Sequence, residues 1–240
     1  MPRIPKLLTS VIERAFFIPA IVSEVKSITD NFRLIELSGD RLKNADWIPG
    51  QMVQFHLGNL TTRAYTPAAW DSEAGRARFL IFLHQNGPGS NWAASLKNGD
   101  ACSFAGPRGS LNFHEIQGPC VFFGDETSLA AARALRFNGN GAREDHYVFE
   151  VSSLAQSREA LRCIELSEAQ LVQRAAENSH LEEIAEMFSG GASDAGPKEW
   201  IFTGRAQSIQ ALRDILRSRK LHFPRIKVKA YWAEGKTGLD

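Results

Sequence analysis

The sequence has few cysteines, little net charge and no long apolar run, and each of these absences removes a class of protein. Its three cysteines, Cys102, Cys120 and Cys163, are an odd number without Cys-x-x-Cys spacing, which argues against a disulfide framework and against a zinc site. The net charge is +1, so bulk electrostatics favour neither nucleic acid nor an anionic membrane as a partner. A reducing compartment fits the cysteines, and we expect a cytoplasmic protein without a bound metal ion.

The N-terminal stretch has neither the core of a signal peptide nor a membrane span. Glu13 and Arg14 interrupt its apolar residues, and the uninterrupted run is too short for either role. Leu7, Leu8 and Val11 recur at helical spacing. We therefore predict a short amphipathic helix within residues 1–18 that packs on the body of the protein, and no integral membrane segment.

Two kinds of pattern divide the remainder of the chain. Over residues 19–117, short segments of alternating apolar and polar residues are separated by glycine and proline, which is typical of antiparallel β structure. From residue 118 to residue 240, apolar runs such as PCVFFGDE alternate with helical segments such as TSLAAARALRF. This alternation predicts a parallel sheet covered by helices. The predicted fold class is an antiparallel β-barrel followed by an α/β domain.

The segment RAYTPAAWD, residues 63–71, has an unusual order of side chains for a strand. Residues two apart in a strand share a face, so Arg63 and Tyr65 present a cation and an aromatic ring together, with the hydroxyl of Thr66 next to them. Tyrosine and threonine also favour strands. An ordinary half-buried strand therefore explains these residues as well as a binding site does.

A glycine-rich turn follows the predicted strand that ends at His84. The segment GPGSNWAASL, which starts at Gly87, predicts a turn that leads into a short helix from about Asn91 to Leu96. Unpaired N–H groups at a helix start bind anions, and small residues let a phosphate approach the main chain. A diphosphate fits such a turn, and so does a plain connection with a capped helix.

A third candidate site lies where the first strand of the α/β part runs into its helix. FFGDETSLAA places Gly124, Asp125, Glu126 and Thr127 at the carboxyl end of a predicted parallel strand, where open α/β sheets hold ligands. Thr127 or Ser128 is positioned to cap the helix. The segment has neither a GxGxxG nor a Walker A motif, so a nucleotide is compatible with it but not required.

These segments occur together, and in the same order, in a known family. RAYT at 63–66, FLIFLHQNGPGSNWAASLKNGD, GPRGS, GDETSLAA and the terminal VKAYWAEGK resemble siderophore-interacting proteins, a branch of the ferredoxin-reductase-like flavoproteins. The resemblance runs from about residue 18 to residue 236. It implies a two-domain flavoprotein with an FAD-binding barrel at residues 19–117 and an NAD(P)H-binding domain at residues 118–240. It also implies reduction of ferric siderophores, with NADH or NADPH as co-substrate and release of Fe(II).

The resemblance further implies roles for individual residues. Arg63 would face the FAD diphosphate, Tyr65 would lie against the isoalloxazine ring, and Thr66 would sit near its N5 edge. Main-chain groups of the glycine-rich turn would hold the diphosphate, and residues of the second domain would close the pocket. The implied FAD set is Arg63, Ala64, Tyr65, Thr66, His84, Pro88, Ser90, Asn91, Trp92, Ala93, Thr127 and Trp232; the implied NAD(P)H set is Gly124, Asp125, Glu126 and Thr127.

Two positions depart from the family pattern, and they leave the electron acceptor open. Ala68 stands where relatives carry a second arginine, and Gln54 where many carry a lysine that attracts acidic chelates. Arg108, Lys229 and Lys236 are the cations that we expect around the docking site of an anionic ferric siderophore. The alternatives are a reductase of the same fold with another acceptor and a non-enzymatic binding module. No catalytic side chain, nucleotide preference, particular siderophore or oligomeric state is predicted.

Overall fold

The computed structural model describes most of the chain: residues 17–58, 61–84, 87–109, 111–139, 143–190, 199–221, 223 and 225–236. The helix predicted near the N-terminus falls on residues 1–16 and lies outside the described residues. Within the described ranges, no helix has the length and apolar character needed to cross a bilayer.

Seven strands build the first sheet, and one helix lies among them. The strands are β1 (Ile18–Ser27), β2 (Phe32–Ser38), β3 (Met52–His56), β4 (Thr62–Tyr65), β5 (Ala69–Asp71), β6 (Arg76–Phe82) and β7 (Ala101–Arg108), and the helix α1 (Pro88–Ser95) connects β6 to β7. Their order across the sheet is β4-β3-β7-β1-β2-β6-β5. Each neighbouring pair is antiparallel, as the alternating pattern predicts.

Five strands build the second sheet, and helices connect them. The strands are β8 (Cys120–Asp125), β9 (His146–Val151), β10 (Gln170–Gln173), β11 (Glu199–Arg205) and β12 (Ile226–Trp232), and the helices are α2 (Leu129–Arg136), α3 (Leu154–Cys163), α4 (His180–Gly190) and α5 (Ala206–Ser218). All pairs are parallel, in the order β10-β9-β8-β11-β12. The order reverses between β8 and β11, and in doubly wound sheets such a switch point opens a crevice for ligands. The predicted combination of an antiparallel and a parallel sheet is confirmed.

The two sheets differ in burial as their sequence patterns predict. In β3, half-buried residues alternate with Val53 and Phe55, which are fully buried in the core of the first sheet. Every residue of β8 is buried. A strand of a parallel sheet with helices on both faces has no solvent side, so it carries a continuous apolar run.

One apolar cluster joins the two sheets. Phe32 of β2 and Ala68, just before β5, pack in the same buried cluster as Phe122 of β8 and Leu129 of α2. Arg133 on α2 adds a hydrogen bond from Nη1 to the Ala68 carbonyl at 3.0 Å. Ala68 is therefore part of this contact, and a large side chain at this position would have to leave it.

Two local predictions around α1 need correction. The helix begins at Pro88 rather than near Asn91, because the first helical position needs no N–H partner and proline has the required φ. β6 ends at Phe82, so His84 lies beyond the strand and is exposed. The corrected boundary moves the helix start to Pro88, the proline between Gly87 and Gly89, and hence closer to β4.

Candidate functional site

The first turn of α1 packs directly against β4. A Cβ atom added at Gly89 would lie 2.4 Å from the Tyr65 hydroxyl oxygen and 3.3 Å from Cγ of Arg63. Only glycine lets the main chain come this close. The side chains of Arg63 and Tyr65 therefore meet the N-terminal end of α1 at one point on the first sheet, which we call the α1–β4 site (Arg63, Tyr65 and Gly87–Ser90).

The N-terminal end of α1 has the features of an anion site. Gly87 is the N-cap and Pro88 follows it, with no side-chain hydrogen bond capping the helix. The Ser90 hydroxyl is buried and has no hydrogen-bond partner among the described residues. A helix start of this kind carries partial positive charge and N–H groups without partners. Its donors therefore fit a diphosphate.

Arg63 stands beside this helix end with most of its donors available. Its Nη1 donates to the neighbouring Thr62 carbonyl at 2.7 Å, and no carboxylate of the described ranges forms an ion pair with it. A guanidinium binds phosphate oxygens through its planar fork of N–H groups. The side chain thus adds a full positive charge to the partial charge of the helix.

The Tyr65 ring is embedded in an aromatic group. It stacks on Trp92 with 6.2 Å between the ring centroids and meets Phe55 edge-on at 5.9 Å. Burial raises the pKa of Tyr65 to about 12, and the nearby Arg63 charge opposes the rise. Tyr65 therefore stays neutral at physiological pH and offers a flat aromatic surface of the kind that a planar heterocycle contacts.

Other members of the predicted FAD set surround the α1–β4 site. Ala93 is fully buried in the core of the first sheet, so only its main chain is available to a ligand. Ala64 and Asn91 are exposed. His84 is exposed too and lies against the turn, since a Cβ at Gly87 would be 2.8 Å from its Cε1 atom.

Asp125 is the centre of the second candidate site. Its Oδ1 accepts hydrogen bonds from the backbone N–H of Thr127 at 2.9 Å and from the Thr127 hydroxyl at 2.5 Å. Its Oδ2 accepts from Nε1 of Trp232 at 2.7 Å. Gly204, at φ +97°, lets the main chain pass the carboxylate, because a Cβ there would lie 2.6 Å from it. Asp125 thus brings the predicted residues Thr127 and Trp232 together.

Burial also perturbs this carboxyl. Asp125 is completely buried, and the loss of hydration raises its pKa to about 6. The hydrogen bonds from Thr127 and Trp232 favour the ionised form and limit the rise, whereas the charge of Glu126 adds to it. Asp125 is thus the one group of the predicted set whose ionisation is brought close to neutral pH.

Ser128, one of the two residues predicted to cap the helix, is the N-cap residue of α2, but its side chain makes no capping hydrogen bond to that helix. Asp125 is the N-cap of a short 3-10 turn, Glu126–Ser128, and the Ser128 hydroxyl in return accepts the Asp125 N–H at 3.3 Å. Gly124 fits tightly under this capping box, since a Cβ there would lie 2.4 Å from Cβ of Ser128. The side-chain cap is thus made by Asp125, two residues before Thr127, and an aspartate is a stronger cap than threonine.

Glu126 makes contacts inside the second sheet. Its Oε1 accepts from the backbone N–H and the hydroxyl of Ser152 at 2.5 and 2.6 Å, and its Oε2 accepts from Arg174 at 2.8 Å. The side chain is buried. Both of its oxygens are therefore already hydrogen-bonded at the carboxyl ends of β8 and β9.

Tyr231 connects the two candidate sites, and the sequence interpretation missed it. Burial raises its pKa to about 12, and the nearby Thr66, just after β4, opposes the rise. The Tyr231 hydroxyl has no hydrogen-bond partner among the described residues, and the side chain packs against the apolar cluster that joins the two sheets. The charge of Asp125 also acts on it. Successive strand residues point to opposite faces, so if Trp232 faces Asp125, its neighbour Tyr231 must face the first sheet. That alternation is the signal that identifies it.

The predicted cations do not form one cluster. Arg108, exposed at the end of β7, donates a hydrogen bond to the Gln54 side chain on β3. Lys229 is half-buried on β12, and Lys236 is exposed beyond it. Arg205 pairs with Glu234 at 2.6 Å. The guanidinium of Arg108 therefore lies beside the side chain of Gln54.

Two family models match the chain. Residues 56–111 match the siderophore-interacting FAD-binding domain, and residues 119–235 match the siderophore-interacting protein model. The first match contains the α1–β4 site, and the second contains Asp125, Tyr231 and Trp232. The two matches together cover most of the chain.

Individual proteins resemble the chain more distantly. A siderophore utilization protein from T. fusca superposes with a TM-score of 0.75 at 24% identity, over 93% of this chain and 95% of that one. The electron transfer component of anthranilate 1,2-dioxygenase from Acinetobacter baylyi is 26% identical over 117 residues, 48% of this chain and 34% of that protein. NADH-cytochrome b5 reductase 1 from Mycosarcoma maydis is 31% identical over 94 residues, 38% of this chain and 29% of that protein. The chain thus spans about a third of the length of these curated relatives.

Proposed function

The chain belongs to the siderophore-interacting protein family, and we propose that it reduces ferric siderophores with electrons from NADH or NADPH. Family membership makes it a flavin-dependent oxidoreductase with an FAD-binding domain. In the proposed reaction the iron of the chelate is reduced and leaves as Fe(II). We propose a cytoplasmic location, in agreement with its three free cysteines.

The observation that carries this proposal is the donor set of the α1–β4 site. The start of α1, the buried Ser90 hydroxyl and the Arg63 guanidinium converge beside the Tyr65 ring; among the described residues the helix start has no side-chain cap, the Ser90 hydroxyl has no partner and Arg63 forms no ion pair. These groups would hold the FAD diphosphate, and the aromatic group around Tyr65 would support the flavin. We propose residues 19–117 as the FAD-binding domain and residues 118–240 as the NAD(P)H-binding domain.

The protein's own contribution is binding, orientation and electrostatics. When bound, FAD supplies the redox chemistry, since a flavin can accept a hydride and release single electrons. Arg63 and α1 would fix the phosphates, Thr66 would stand at the flavin edge, and Tyr231 of the second sheet would lie near Thr66. No side chain has to act as an acid, a base or a nucleophile.

The nicotinamide nucleotide is proposed to bind at the carboxyl ends of β8 and β11, in the crevice at the switch point of the parallel sheet. The segment Gly124–Thr127 lies there. Asp125 and Glu126 are buried and hydrogen-bonded within the protein, so their role in this proposal is to shape the crevice. Contacts with the nucleotide would come from Thr127 and the main chain.

The acceptor is proposed to be an anionic iron chelate. Arg108 rests on Gln54 at the junction of β3 and β7, and its charge replaces the lysine that many relatives have there. A cation near the flavin would raise the encounter rate with a negatively charged siderophore. Lys229 and Lys236 would add positive charge to the same docking site from the second domain.

An anaerobic absorption experiment tests this proposal. The purified protein, incubated with FAD and freed of excess, should show a flavin spectrum that bleaches on addition of NADH or NADPH. Adding a ferric siderophore should restore the oxidised spectrum while a Fe(II)-specific chromogenic chelator reports the released iron. Free FAD at the same concentration, without protein, is the control and should turn over far more slowly.

The same experiment separates the rival functions. Bleaching by a nucleotide and rapid reoxidation by a quinone or a redox protein, but not by any ferric chelate, would establish another acceptor and refute siderophore reduction. A protein that stays colourless after incubation with FAD would refute the whole proposal and favour a non-enzymatic binding module.

A further inference from the structure

The C-terminal end of α1 is held by an arginine from a distant strand. Arg33 lies on β2, 60 residues before Ala93 in sequence. Its Nη1 donates to the carbonyls of Ala93 and Ala94, and its Nη2 donates to the Leu96 carbonyl at 3.3 Å. One guanidinium therefore takes three of the carbonyl groups that a helix end leaves without partners.

The two ends of α1 are treated differently. The last turn of the helix contains no basic residue of its own, and Leu96 ends it by turning to an extended backbone. At the other end no side chain of the described part of the chain caps the helix. The negative end of the helix dipole is thus neutralised from outside the helix, whereas the positive end stays available for a ligand.

Arg33 also fixes where the helix stands. On β2 it pairs with Ser27 of β1 and with Ile81 of β6, so its backbone belongs to the interior of the sheet. The first turn of the helix is fixed independently by the contact of Gly89 with Tyr65. The position of the N-terminal N–H groups of α1 is therefore set by two attachments, one at each end of the helix.

We propose that Arg33 is a positioning residue for phosphate binding at the α1–β4 site. It does not touch the cofactor. It compensates the charge of the C-terminal end of α1 and anchors that end to β2, so that the N-terminal N–H groups and the Ser90 hydroxyl are presented to the diphosphate. This role rests on the proposed function, because it presupposes FAD at the α1–β4 site.

The test compares two ligands and three variants. Dissociation constants of FAD and of riboflavin, which has the same ring system but no phosphate, are measured by flavin fluorescence titration. Arg33→Met keeps the aliphatic stem but removes the charge and the donors. Arg33→Lys keeps the charge with fewer donors in a different geometry. Arg76→Met is the matched control, because Arg76 is a half-exposed arginine of the neighbouring strand β6 that pairs with Glu36.

We expect Arg33→Met to raise the dissociation constant of FAD about twofold to fivefold, the range of a favourable charge at a helix end. Its riboflavin constant should be unchanged, Arg33→Lys should recover part of the FAD affinity, and Arg76→Met should match the wild type for both ligands. Equal losses of affinity for FAD and for riboflavin would show that Arg33 only stabilises the local structure, and would overturn the proposal. An unchanged FAD constant would overturn it as well.

The failure of this inference can be told from failure of the proposed function. If the wild type binds no FAD, the proposed function itself is wrong. If the wild type binds FAD and Arg33→Met binds it equally well, only the role of Arg33 is wrong. If far-ultraviolet circular dichroism shows that Arg33→Met does not fold, Arg33→Lys alone decides. Wild-type affinity for riboflavin together with a weakened affinity for FAD supports the proposal, and any other pattern refutes it.

Discussion

Replacing Asp125 by asparagine should change how stability depends on pH. Asparagine has nearly the same shape but cannot ionise, and it keeps an acceptor for only one of the two partners on opposite sides of the group, Thr127 and Trp232. The wild-type carboxyl has its pKa raised to about 6 by burial. The substitution therefore removes both a hydrogen-bond acceptor and a buried titratable group, and the two effects depend differently on pH.

The direction in which the stability of the wild type changes with pH follows from proton linkage. A carboxyl whose pKa is raised by folding holds its proton to higher pH in the folded than in the unfolded chain, so its stabilising contribution is lost as the pH rises through the folded pKa. A rise of the Asp125 pKa from 3.8 to about 6 corresponds to a total change of about 3 kcal/mol in the free energy of unfolding, at about 1.4 kcal/mol per pKa unit. Of this stability, about 1.4 kcal/mol is lost as the pH rises from about 5 to about 8.

The hydrogen-bond acceptor that Asp125→Asn loses makes the variant less stable, which is opposite to the effect of removing the titratable group. A buried donor left without its partner costs about 1–3 kcal/mol, so Asp125→Asn should be less stable than the wild type at about pH 5. The difference in unfolding free energy between the wild type and Asp125→Asn should be smaller by about 1.4 kcal/mol at about pH 8, because only the wild type loses stability through this carboxyl. Urea unfolding followed by circular dichroism at several pH values measures both quantities. Asp214→Asn, at an exposed pair with Arg217, is the control and should follow the wild type throughout. A gap that is constant with pH would refute the reasoning.

Three further substitutions test the sites by other means. Arg63→Ala should weaken FAD binding by about 1.5–3 kcal/mol, the worth of a hydrogen bond to a charged group; wild-type affinity in equilibrium titration would show that the diphosphate lies elsewhere. Gly89→Ala should lower both FAD affinity and stability, the latter by about 1–3 kcal/mol, because the added methyl overlaps the neighbouring tyrosine hydroxyl. Gly109→Ala, whose Cβ would meet its nearest neighbour at 3.5 Å, should change neither quantity, and equal losses in both variants would contradict the role of the α1–β4 contact. His180→Ala should cost about 3 kcal/mol in urea unfolding, since it removes the partner at 2.6 Å from the buried carboxylate of Glu150; a loss no larger than that of a surface substitution would refute it.

The sequence predicts those parts of the fold that depend on local periodicity. Alternation over two residues in β3 and the continuous apolar run of β8 are visible in the chain itself, because each reports the environment of one strand. The order of strands is not local. Gln54 and Arg108 are 54 residues apart, yet β3 and β7 are neighbours in the sheet and their side chains touch. No pattern within either strand specifies that pairing.

The site shows the same division between local and distant information. The glycine-rich turn and RAYT identify the two halves of the α1–β4 site, but neither predicts that Gly89 lies against the Tyr65 hydroxyl. Arg33 is invisible to a motif search for the same reason, since its partners are main-chain carbonyls of α1, far along the chain. The error at Pro88 was different. The signal, a proline suited to the first helical position, was present in the sequence and was not used.

The pair Tyr231 and Trp232 shows how one strand end can serve two sheets. Because neighbouring strand residues face opposite sides, Trp232 donates to Asp125 inside the second sheet, while Tyr231 packs against the apolar cluster that joins the two sheets. A movement of the end of β12 would therefore disturb both the Asp125 cluster and the apolar contact between the two sheets. Binding of a nucleotide at the carboxyl ends of β8 and β11 would act on this strand end directly, since β12 pairs with β11 up to Trp232. The geometry thus joins the proposed nucleotide crevice to the apolar contact between the two sheets through two adjacent side chains.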